Sequence, residues 1–222
     1  MPAQSQGEAA IAWLGRVHGE LVFRRRADIL SAQLAALLPE GGKVLDVGCG
    51  DGLIGQLIAA RRPDLTISGI DPIVRPEPHI SVAEFDGITL PCEDRSMDVV
   101  MFVDVLHHCD DPEMLLREAR RVARKAVVLK DHTREGLLAG PTLRFMDWVG
   151  NAPHGIPLPY NYWPERRWRD AFKRIGLTPS VWLSELRLYP PPAAWFFNRS
   201  LHFIARLERT EAAALCGAGH PG

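Results

Sequence analysis

The run Lys43-Val44-Leu45-Asp46-Val47-Gly48-Cys49-Gly50-Asp51-Gly52 constrains this chain more than any other, because strand formers pass directly into a turn with glycine at every second position. Val44, Leu45 and Val47 suit a strand covered on both faces. Gly48, Gly50 and Gly52 remove the side chains that would keep a ligand away from the backbone. The helix expected from about Leu53 turns its free N–H groups and the positive end of its dipole toward the same place. A strand, a glycine turn and a helix in that order predict an α/β fold with a ligand at the junction.

The rest of the chain extends that pattern. Residues from about Ile11 to Leu38 read as helical, with Ile29, Leu30, Leu34, Leu37 and Leu38 on one face, ended by Pro39 and Gly41-Gly42. Leu53, Ile54, Leu57 and Ile58 form the next helical face, and Leu65 to Ile70 a strand closed by Asp71-Pro72. Pro72, Pro76 and Pro78 leave little room for a second crossover helix, so a compact or irregular path to a short strand around His79 to Ala83 is expected. Met97 to Val103 is a central strand. Asp111-Pro112 is an N-cap and first-turn pair for a helix burying Leu115, Ala119 and Val122. Ala126 to Leu129 is a further strand, running out into Lys130-Asp131-His132. Pro164 opens a helix with Trp168, Ala171, Phe172 and Ile175 on one face, Gly176 ends it, and Leu177 to Leu183 and Ser200 to Leu207 are the last two strands. Strand and helix in alternation predict a parallel sheet wound through crossovers, with ligands at the carboxyl ends of its strands. The segments are a helical cap over 1–40, an α/β domain over 41–210 with a lid-like insertion at about 133–163, and an unstructured tail over 211–222.

Composition narrows the partners. The formal charge of -1 gives no electrostatic footprint for nucleic acid, and Arg24-Arg25-Arg26 reads as a solvated helix face. Cys49, Cys92, Cys109 and Cys216 lack CxxC pairing and fit a reduced compartment, and no metal is expected. The residues after Met1 carry no secretory signal and no apolar run reaches the roughly 18 residues of a membrane span, so a cytoplasmic protein is expected. The apolar segment Pro190 to Phe197 is expected to pack over the sheet edge, with membrane-surface contact as the alternative.

Three ligand classes use a glycine turn of this kind. A phosphate loop needs Gly-Lys-Ser/Thr, which is absent, and a dinucleotide fingerprint needs a third glycine where Leu53 stands. Asp46, two residues before the first glycine, would repel a pyrophosphate. A cationic ligand without phosphates meets neither objection. The stretch VLDVGCGDG, followed in order by Ile70-Asp71, Phe85 to Pro91, Ser96 to Val100 and Val105 to Pro112, resembles class I S-adenosylmethionine-dependent methyltransferases. The likeness is to the type 11-like small-molecule group related to ubiquinone and menaquinone biosynthetic enzymes. It implies a Rossmann-like, doubly wound, seven-stranded and mostly parallel sheet with an antiparallel C-terminal strand and an N-terminal helical cap.

It also implies roles. Gly48, Cys49, Gly50 and Gly52 would admit the methionine portion of S-adenosylmethionine, with Asp46 orienting the turn or meeting the ammonium group. Asp71, beside Pro72, would take both ribose hydroxyls, Asp86 the adenine amino group, and the Gly87 N–H a ring nitrogen. Asp104 and His107 would complete the cofactor pocket. Asp86 before Gly87 is equally ordinary turn chemistry, and Cys49 suits small filler. Pro91-Cys92 precedes the central strand and is set aside as a nucleophile.

For the acceptor, His107, His108 and His132 are candidates for orientation or general base work. Trp148, His154, Tyr160 and Tyr162 are candidates for substrate walls, with Phe145 and Trp163 beside them, and core packing of the aromatic residues is the alternative. The expected activity is methyl transfer to a small hydrophobic or aromatic acceptor, by O- or C-methylation. An inactive cofactor-binding partner subunit and an NAD-dependent oxidoreductase are the other readings.

Overall fold

The structure is a computed structural model and describes residues 22–136, 138–144, 161–191, 195 and 201–210. Seven strands form one sheet: β1 (Gly42–Val47), β2 (Leu65–Asp71), β3 (Val82–Glu84), β4 (Met97–Val103), β5 (Ala123–His132), β6 (Leu177–Leu183) and β7 (His202–Arg209). Their spatial order is β3-β2-β1-β4-β5-β7-β6, with β7 antiparallel to both neighbours and the other pairings parallel. The winding reverses between β1 and β4, and at such a reversal ligands bind outside the carboxyl ends of the strands. The mostly parallel sheet with its antiparallel C-terminal strand is the one expected.

Helices cover both faces. Helix α1 (22–35) and α2 (Leu53–Arg61) lie on one side, where Leu30, Leu34, Ala35, Leu38 and Ile58 pack on Val44, Val99, Met101, Val128 and Ile204. On the other, α3 (Pro112–Val122) and α5 (Glu165–Ile175) pack Leu116, Ala119, Trp168 and Phe172 on Leu45, Val100, Phe102 and Phe203. The described part of a further helix, α4 (139–144), packs Ala139 and Leu143 against Tyr162 and Leu201. Burial on both faces explains why β1 and β4 are continuous apolar runs. Asp111 caps α3 through the Met114 N–H (3.1 Å). The Arg62 guanidinium takes the carbonyls of Ala35, Leu38 and Pro39, closing the end of α1 against the end of α2.

Some boundaries move. The first helix is described only from residue 22, and the third strand is Val82–Glu84 rather than 79 to 83, because His79 and Ile80 fold back over the glycine turn. The strand expected over Ala126 to Leu129 runs from Ala123 to His132, because β7 pairs with its polar end through His132. The last strand starts at His202 and extends to Arg209, two residues past the expected Leu207. No helix among the described residues is long and apolar enough to cross a membrane. Most of Pro190 to Phe197 lies outside the described residues; Trp195 is exposed.

Candidate active site

The glycine turn leaves β1 at the reversal point and feeds α2. Gly48, Gly50 and Gly52 all have positive φ (70°, 60° and 78°), and a Cβ would meet Val105 Cγ2 at 2.7 Å on Gly48 and Ile80 Cγ1 at 2.5 Å on Gly52. Gly52 is the N-cap of α2 and offers no side chain, and the first turn of α2 holds no acidic residue. Asp71 and Asp51 accept the Gly50 and Leu53 N–H groups (2.8 and 3.1 Å), and the positive end of the α2 dipole faces the same place. Cys49 turns its sulfur onto Gly69 of β2, where a Cβ would lie 2.3 Å away. Burial first, then Asp46 and Asp71, push its thiol up to about 12, so it is packing rather than a nucleophile.

Asp46 is the most unusual group here. It is 2% exposed, and its Oδ1 has no hydrogen-bond partner. Burial and, after it, the neighbouring Asp71 push its carboxyl up to about 7. Asp71, at the end of β2, accepts the Gly50 N–H (2.8 Å) and the Ile73 N–H (2.9 Å), tying the second strand to the turn. Asp86 is exposed and accepts the N–H groups of Ile88 and Thr89 (both 2.7 Å); those bonds hold its carboxyl below the usual range. It caps its own turn, and Gly87 beside it has a φ of 77°.

A cavity of about 190 Å³ opens beside the turn. Phe23, Arg26, Ala27 and Leu30 of α1 form one wall, Cys49, Asp51, Leu53 and Ile54 a second, and Val103 with Asp104 the floor. Arg26, read from sequence as part of a solvated face, instead pairs with Asp104 across 78 residues. Asp104 adopts φ 58° and holds Arg26 on Oδ2 and the buried Lys130 ammonium on Oδ1. Burial opposes ionisation of Asp104, but Lys130, Arg26 and His132 outweigh it and keep the carboxyl well below its usual value.

Behind Asp104 lies a buried polar cluster. His107 Nδ1 is 2.7 Å from Asp131 Oδ1, and His132 Nδ1 is 3.4 Å from His107 Nδ1 and 3.6 Å from Asp104 Oδ1. The rings of His108, His132 and Tyr162 pack around His107 at centroid distances of 4.0, 4.6 and 5.7 Å. Burial, then Lys130 and His107, lower His132 to about 4, so it is neutral near pH 7. His107 and His132 do not line the cavity; Asp104 stands between His132 and it. Tyr162 and Trp163 are buried, Trp163 against Trp168, which is the packing alternative. Phe145, Trp148, His154 and Tyr160 lie outside the described residues. Sequence reasoning missed Arg26, Asp131 and His202, whose Nδ1 is 3.3 Å from Lys130 Nζ and whose ring lies 4.9 Å from that of His132, as members of this region. Asp131 was visible beside His132; Arg26 and His202 carried no local signal, since their partners are distant in the chain.

Residues 19–180 match a family described as "Methyltransferase domain". The 27-O-demethylrifamycin SV methyltransferase of Amycolatopsis mediterranei is 32% identical over 110 residues, 43% of this chain and 40% of that protein. The ubiquinone biosynthesis O-methyltransferase of Actinobacillus pleuropneumoniae is 29% identical over 105 residues, 40% of this chain and 44% of that one. The match thus spans less than half the length of either relative. Among solved structures, an S-adenosylmethionine-dependent methyltransferase from Mesorhizobium loti superimposes with a TM-score of 0.62 at 18% identity, covering 80% of this chain and 96% of that one. The [4+2]-cyclase SpnF shares the fold with a TM-score of 0.61 at 16% identity, covering 82% and 80%. With a glycine turn at the sheet's reversal point and a family match over most of its length, the chain belongs to the methyltransferase domain family.

Proposed function

We propose that the chain transfers a methyl group from S-adenosylmethionine to a small hydrophobic or aromatic acceptor, at oxygen or carbon. The observation that carries this reading is Asp46: a buried carboxylate oxygen without a partner, beside a turn of backbone donors, calls for a ligand bearing both a cation and an anion. The ammonium and carboxylate of the methionine portion have that chemistry. Asp46 would face the ammonium, the N–H groups at the start of α2 the carboxylate, Asp71 the ribose, and Asp86 with Gly87 the adenine. Asp71 supports this by its place, since it already accepts the Gly50 N–H at the lip of the turn.

S-adenosylmethionine supplies an electrophilic methyl group on a sulfonium that departs as a neutral thioether. The chain's contribution is therefore chiefly orientation, which can be worth roughly 7–11 kcal/mol. Phe23, Ala27, Leu30, Leu53, Ile54 and Val103 give the cavity an apolar wall suited to an apolar acceptor, and Arg26 with Asp104 gives it one polar edge. Asp104, held ionised by two cations, orients a donor there rather than storing a proton.

Calorimetric titration with S-adenosylhomocysteine tests the pocket. Micromolar binding is expected, and Asp71→Ala should weaken it by about tenfold or more through the lost charge-assisted bonds. Binding of NAD without S-adenosylhomocysteine, or no binding at millimolar ligand, overturns the reading.

A further inference from the structure

Three side chains that the methyl transfer leaves unused converge at the carboxyl ends of β4 and β5. His107 Nδ1, His132 Nδ1 and Asp131 Oδ1 form a triangle with sides of 2.7, 3.4 and 3.6 Å. The point equidistant from all three lies about 1.9 Å from each, so an ion bonded at about 2.0–2.2 Å would sit about 0.6–1.1 Å out of their plane. The 3.4 and 3.6 Å edges match the face of a tetrahedral site, and the 2.7 Å edge, a hydrogen bond here, would open to join it. We propose that His107, Asp131 and His132 bind a divalent transition-metal ion of the zinc class, contrary to the sequence expectation of no metal.

The surroundings fit an ion. Two imidazole nitrogens and a carboxylate oxygen select zinc, cobalt or iron over magnesium and calcium. The carboxylate is already fixed, because Asp131 Oδ2 accepts the Leu106 N–H (3.0 Å) and Oδ1 the His132 N–H (2.7 Å). The nearby cations are paired: Asp104 holds Arg26 on one oxygen and Lys130 on the other. Asp104 Oδ1, 3.6 Å from His132 Nδ1, is taken by the Lys130 ammonium and is not counted as a ligand. The site is defined by these side chains and stands independently of the methyl donor.

The test uses the full chain after chelation and dialysis. Titration with Co²⁺ should give visible d–d bands saturating at one ion per chain, and Zn²⁺ should displace them. On addition of Zn²⁺, imidazole ¹⁵N spectra of the wild-type chain should move the Nδ1 resonances of His107 and His132 and spare those of other histidines. His132→Ala and Asp131→Asn should each weaken Zn²⁺ binding by more than about 100-fold, beyond the usual cost of losing a supporting group. Lack of any bound ion in the wild type, or binding that leaves the His107 and His132 nitrogens unmoved, overturns the proposal. So does a folded variant, judged by cooperative thermal unfolding, that keeps full affinity. S-adenosylhomocysteine calorimetry on the same samples reports separately on the donor pocket.

Discussion

Replacing Asp46 with Asn should make the empty protein more stable and the liganded one weaker. The carboxyl is raised from 3.8 to about 7 by burial and by Asp71, and at roughly 1.4 kcal/mol per unit the ionised form costs about 4 kcal/mol of folding stability at pH 8. The sign follows from linkage. Between pH 3.8 and about 7 the folded chain holds a proton that the unfolded chain has lost, so this group's contribution to stability falls as pH rises through that window, and above it the full cost applies. An amide removes the charge but remains a buried polar group, itself costing about 1–3 kcal/mol when unpaired. The net gain for Asp46→Asn at pH 8 is therefore about 1–3 kcal/mol, or about 2–12 °C in Tm for a chain of this size. The advantage should shrink by about 2–3 kcal/mol on going to pH 5, where the wild-type carboxyl is mostly protonated in the folded state. Thermal unfolding of both proteins at pH 5 and 8, with S-adenosylhomocysteine titrations at pH 8, measures all of this. A variant less stable than the wild type at pH 8, or a difference independent of pH, would refute the argument that a buried charge is held in waiting for a ligand.

Two further substitutions probe the scaffold. Gly52→Ala puts a Cβ 2.5 Å from Ile80 Cγ1 at a φ of 78°, and should cost about 1–3 kcal/mol in thermal unfolding, with Ile80→Ala in the same chain restoring only the steric part; an unchanged Tm would mean the turn reshapes freely. Trp168→Ala removes a fully buried ring that packs on Trp163, Phe172 and Phe203 and donates to the His132 carbonyl, so urea unfolding should show a loss of about 3–5 kcal/mol, and a loss below about 1 kcal/mol would contradict that packing.

The strands and helices were legible where one local signal decided them. Asp111-Pro112 marked the start of α3, and the apolar run from Met97 to Val103 marked β4 residue for residue. The glycine turn was legible because its geometry needs glycines. Hidden from sequence were the pairings that span the chain: Arg26 looked like one of three solvated arginines until β4 brought Asp104 beneath it. The polar cluster was half visible in the same way. His107 and His132 were singled out separately, but only the parallel register of β4 with β5, pairing Val103 with Lys130, brings both strands' ends together and makes Asp131 their common partner.

The contact between Cys49 and Gly69 carries a consequence for sequences beyond this one. A Cβ at 69 would fall 2.3 Å from the Cys49 sulfur, so the two positions share the volume of a single side chain. The residue at 49 faces the cavity through the turn, while 69 lies in the middle of a neighbouring strand. A relative with glycine at 49 is free to carry alanine at 69, and one with a bulkier residue at 49 is bound to glycine at 69. The allowed shapes of the ligand turn are thus set partly by a strand residue that need never touch the ligand.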